Sequence, residues 1–119
     1  MTDSILNSTK INLGINEEDD SFDLEIMTHI NSVMLTLDQL GVGPVGGFLI
    51  EDDEAEWWDL LGDDPRLNAV KTLVWAKVKM LFDVPGTSFH ISALQDQIRE
   101  MEYRLMVHAT PAPVFPIRN

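Results

Sequence analysis

Three histidines (His29, His90 and His108) and two carboxylate runs (residues 17–20 and 51–54) carry whatever chemistry this chain could perform. No two histidines stand at the i, i+4 spacing that lets a helix hold a metal. His29 follows Glu25 by four residues, which could be an acid–base pair, but on a helix that spacing gives an ordinary surface contact, and we read it so. A calcium loop alternates its ligands and ends on a late glutamate, and neither acidic run does, so both read as solvated loops. The chain has no cysteine, which removes thiol nucleophiles, disulfides and zinc or iron–sulfur sites of the cysteine type. The glycines of residues 41–47 (GVGPVGG) precede an apolar run rather than a helix, and no Gly-Lys-Ser/Thr follows, so they do not make a phosphate cradle. The expectation is therefore no catalytic residue, no metal, no cofactor and no enzyme.

With chemistry set aside, charge is the more informative property. The 119 residues hold 20 acids and 8 bases, a net charge of −12. Residues 1–64 have 16 acids and one base, Lys10, for −15, whereas residues 65–119 have 4 acids and 7 bases, for +3. Such a chain does not grip phosphates; its first half repels nucleic acid and its second could meet an acidic partner. No apolar run nears the roughly 18 residues of a membrane span, and no basic-then-apolar leader opens the sequence. These features predict a soluble, single-core domain made in a cytosol, with no membrane partner.

The elements that must present these side chains are predicted to be helices. Asp3 or Ser4 caps a short first helix closed by Gly14; Ser21 caps a second, with Ile26, Ile30, Val33, Met34 and Leu37 on one face and Gly41 as its stop. Phe48, Leu49 and Ile50 suggest a short strand or half-hairpin near residues 47–51, or an addition to a neighbour's sheet edge. Residues 55–61 form a short helix ended by Gly62, on which only one of Trp57 and Trp58 can point fully inward. Asp64-Pro65 opens a helix whose core face is Leu67, Val70, Val74, Val78 and Leu81. Thr87 or Ser88 opens the last, with Ile91, Leu94, Ile98, Met101 and Leu105 inward. The fold class is mainly all-α: a bundle of four to five helices over residues 1–108, then a proline-rich tail, residues 109–119.

Two surfaces exceed what one core requires. Leu24 and Leu35 lie about 200° from Phe22 on the second helix, and Trp75 and Phe82 share a face with Lys71 and Lys79 away from the Val70/Val74 stripe. Apolar residues on two faces mean either burial inside one monomer or contact with another subunit, and the short chain favours the latter. Leu24, Leu35, Trp57, Trp75, Lys79 and Phe82 are the candidate subunit interface. The tail holds Pro111, Pro113, Val114, Phe115, Pro116, Ile117 and Arg118. It is either a strap or loose end of its own bundle, or a peptide of about 30 Å reach that docks in a partner's groove.

Several segments resemble the head–tail connector proteins of tailed phages, also called adaptors or head-completion proteins. They are Ile30-Asn31-Ser32-Val33 with residues 37–43 (LDQLGVG), Trp58 with Leu61-Gly62-Asp63, Ala69-Val70-Lys71-Thr72, Leu81-Phe82-Asp83 with Pro85, and Gln97-Ile98 with Glu102 and Arg104-Leu105. The resemblance runs through residues 5–108. It implies a helical subunit of a ring of twelve in the virion neck, beneath the portal, where it extends the DNA channel and offers a surface to the next neck or tail protein. It also implies that the tail residues named above dock on the portal. Twelve copies would bring roughly −144, so Glu51, Asp52, Asp53 and Glu54 are candidate channel-facing acids that let DNA pass without specific binding. The competing reading is an acidic decoy that mimics DNA and inhibits a basic host protein.

Overall fold

The computed structural model describes residues 4–109, which form five helices: α1 (Ile5–Asn12), α2 (Asp23–Gln39), α3 (Trp57–Leu61), α4 (Leu67–Phe82) and α5 (Ser88–Ala109). The fold is all-α. The tail from residue 110 on, with all its proposed docking residues, lies outside the described residues.

Most helix ends are set by the residues that the sequence marks. Ser4 caps α1, its Oγ accepting the Asn7 N–H at 3.2 Å, and Gly14 takes φ 84° just past the end. Thr87 caps α5, accepting the His90 N–H. Two starts differ from expectation. Ser21 does not cap α2: its hydroxyl, like its N–H at 3.0 Å, is turned back to the Asp19 carboxylate in a local turn; Phe22 takes the cap position, and the helix begins one residue later. Asp64-Pro65 likewise forms a turn before α4, with the Asp64 carboxylate accepting the Arg66 N–H at 2.8 Å and the helix starting at Leu67.

α4 is the centre of the bundle, packed between α2 on one side and α5 on the other, with α1 against it too. Val70, Leu73, Val74, Ala76 and Val78 are all fully buried, more of its circumference than a one-faced helix buries. Its second apolar stripe is thus partly explained within one protomer. Leu81, expected on the core face, is exposed: α4 ends one residue later, and in that last turn it is Phe82 that packs inward, against Phe22. Leu94 and Leu105 of α5 are buried as their spacing requires.

The expected strand does not form: among the described residues the sole β pairing is an isolated bridge between Ser4 and Glu56. A side chain supplies what a neighbouring strand would have. Asn31, midway along α2, accepts the Ile50 N–H at 2.8 Å through Oδ1 and donates Nδ2 to the Ile50 carbonyl at 3.0 Å. Both backbone groups of a buried residue are thereby satisfied without a sheet.

Candidate interaction surfaces

The acidic loop at residues 51–54 hangs between two clamps. Asn31 holds Ile50 on one side, and on the other the Ile5 N–H donates to the Ala55 carbonyl at 3.0 Å. Between them Glu51, Asp52, Asp53 and Glu54 are all exposed. The other acidic run, residues 17–20, is also exposed, and it wraps over Lys10. That lysine is 1% exposed; its ammonium lies 2.8 Å from Asp23 Oδ1 and donates to the Glu17 carbonyl at 2.9 Å. The Ser21 N–H and hydroxyl hold the Asp19 carboxyl below the usual carboxylate range.

The bases of the second half are mostly matched inside the protomer. Arg66 pairs with Asp64, whose carboxylate raises the guanidinium's affinity for its proton; Lys77 pairs with Glu102, Lys79 with Asp83, Arg99 with Asp96 and Arg104 with Glu100. Among the described residues Lys71 alone of the bases has no carboxylate partner; its ammonium sits 5.8 Å from the centre of the Trp57 ring. The local excess of positive charge is therefore weaker than the count implies, and the unpaired charge on the surface is overwhelmingly carboxylate.

The six candidate interface residues divide. Leu24 and Leu35 are 78% and 60% exposed, open to a neighbour. Trp57 is corrected: it is buried in the core, with its indole N–H donating to Ser8 Oγ at 2.8 Å, and Trp58 is the exposed member of the pair. The reason is phase: with Glu56 bridged to Ser4, α3 starts in one rotation, and that rotation turns Trp57 inward. Phe82 is half-buried, edge-to-face with Phe22 at 5.4 Å. Trp75 is also half-buried and donates its indole N–H to the Asn12 carbonyl at 3.0 Å, tying α4 to the end of α1.

Trp75 nevertheless keeps one face in a groove of about 440 Å³ between α4 and α5, lined also by Lys79, Pro85, His90, Ala93, Leu94 and Gln97. A smaller hollow of about 380 Å³ continues past Trp75 to Asn12, Lys71 and Thr72. On another part of the molecule Leu35 and Leu49 lie against the glycine-rich loop, whose tip residue Val45 is wholly exposed. Sequence reasoning did not single out Val45, although an apolar residue between glycines was a usable signal, and it took Leu49 only as part of a short strand.

His29 and His90 do not converge on a shared site. His29 approaches Glu25 at 3.8 Å, and His90 meets the Thr87 hydroxyl at 3.0 Å. No group of three potential metal ligands comes together among the described residues, and none of their helices is long and apolar enough to cross a membrane. What the molecule presents is a helical body with exposed apolar and acidic side chains. A family model described as phage connector protein matches residues 5–112. The chain belongs to that family, the head–tail connectors, and its role is that of a connector in the phage neck. Neither the curated proteins nor the solved structures contain a match.

Proposed function

We propose that this chain is a non-enzymatic structural subunit that assembles with copies of itself into a neck ring of twelve, docks beneath the portal, extends the DNA channel and gives the next neck or tail protein its attachment surface. The observation that carries the reading is the set of large apolar side chains, Leu24, Leu35, Val45, Leu49 and Trp58 among them, left exposed on an otherwise complete core. A protomer that closes its core and still shows this much apolar surface is built for contact with other chains. The unpaired carboxylates of residues 17–20 and 51–54 suit a lumen, where DNA must pass without adhering. Residues 110–119 supply the portal-docking segment, by virtue of Val114, Phe115 and Ile117 spaced among prolines.

Electron microscopy of the purified chain mixed with its portal tests this directly. A ring with a central hole, seated on the portal, is expected; monomers beside intact portal would refute it. Deleting residues 111–119 should leave helicity nearly unchanged and weaken portal attachment. The carboxylate surface also supports the decoy reading, for which tight, salt-sensitive binding to a basic nucleic-acid-binding host protein would be required.

A further inference from the structure

The groove over Trp75 and the loop tip at Val45 are complementary features of one chain that one protomer does not bring together. The groove is concave and apolar, with Trp75, Pro85 and Leu94 in its lining and Lys79 at its side. No residue of the glycine-rich loop lines it. The tip is convex: Val45 is 105% exposed and touches nothing, while Val42 at the root of the same loop is buried.

The tip is also held in shape. Pro44 fixes its own φ, the Gly47 N–H closes a turn onto the Pro44 carbonyl at 3.1 Å, and Gly43, Gly46 and Gly47 all take positive φ. At the root, a Cβ on Gly43 would come within 3.2 Å of Leu60 Cδ1, so the loop leaves the core tightly packed. An apolar side chain on a closed turn loses little freedom on docking, which is the property of a good knob.

We propose that Pro44 and Val45 of one copy seat in the Trp75 groove of the next, making the head-to-tail contact of the ring. Charge chooses a second copy as the occupant. Asp38, unpaired, stands beside the loop next to Gly47, whereas Lys71, the base without a carboxylate partner among the described residues, lies where the groove continues past Trp75. Convex-acidic meets concave-basic, and because the two faces differ, each copy can both give and receive, which is the condition for a closed ring. This pairing rests on the ring reading above.

The absence of cysteine in the chain makes the test clean. Val45→Cys and Ala93→Cys place one thiol on the tip and one in the groove, and full-length protein is oxidised in the presence of portal. The double variant should give a ladder of multiples on non-reducing gels; an equimolar mixture of the single variants should stop at dimers, and neither single variant should cross-link alone. Val45→Asp should abolish rings without changing the melting temperature, since Val45 has no contact in the protomer. Rings visible by microscopy with no cross-link would overturn the pairing and leave the ring reading standing. Val45→Cys dimers would show a two-fold contact and overturn it. Cross-linking of Ala93→Cys to Phe115→Cys, or to another neck protein, would assign the groove a different occupant and overturn it as well. If the parent chain forms no ring with portal, both readings fall.

Discussion

Asn31 brackets Ile50: one side-chain carboxamide satisfies both the N–H and the C=O of a residue 19 positions along the chain. The pairing resembles one rung of a sheet, supplied by a helix. It fixes where the acidic segment of residues 51–54 leaves the body.

Asn31→Leu should therefore cost about 2–4 kcal/mol, since two buried backbone groups lose their partners together. Asn31→Asp should cost at least as much, because a carboxylate oxygen would then face the Ile50 carbonyl. Urea unfolding measures the loss, and amide exchange at Ile50 should rise before exchange in α4 does.

Lys10→Met should destabilise the fold by about 3 kcal/mol. The substitution fits the space but leaves the Asp23 carboxylate without its counter-charge and the Glu17 carbonyl without its donor. The double variant with Asp23→Leu should recover much of that loss, and a thermodynamic cycle on the four proteins checks it.

Trp57→Ala should cost about 3–5 kcal/mol in the isolated protomer, the range for removing a buried aromatic, with the Ser8 hydrogen bond lost as well. Trp58→Ala should change protomer stability by less than about 0.5 kcal/mol. Chemical denaturation of the two variants separates core from surface at adjacent positions.

Trp75→Ala removes a half-buried ring and its bond to the Asn12 carbonyl, so a loss of about 1–2 kcal/mol in the protomer is expected. Ring formation should suffer far more. A subunit whose melting temperature collapses while ring assembly at low temperature is unchanged would place Trp75 in the protomer core alone.

The helices were legible because their signals are local: Ser4, Thr87, Gly14, Gly41 and Gly62 stand within a turn of the ends that they set, and the spacing from Ile26 to Leu37 needs no distant partner. What stayed hidden depends on residues far apart. Phe48 to Ile50 has the composition of a strand, and only the reach of Asn31 across 19 residues shows why it needs none. Two adjacent tryptophans look alike in sequence, and a bridge between Glu56 and Ser4 decides which turns inward. Trp75 and Phe82 looked free on a helical wheel, yet Asn12 and Phe22, more than 50 residues earlier, cover part of each.

The sequestration of Lys10 reaches beyond stability. It is the sole lysine or arginine in the first 64 residues, and it is interior. That half of the molecule consequently offers a duplex no lysine or arginine head group to exchange for its sodium or magnesium atmosphere. Two polyanions passing one another each keep their own cloud of small ions, so no ions are freed to the solvent and no entropy draws them together. A strand threading the proposed ring would find no foothold there.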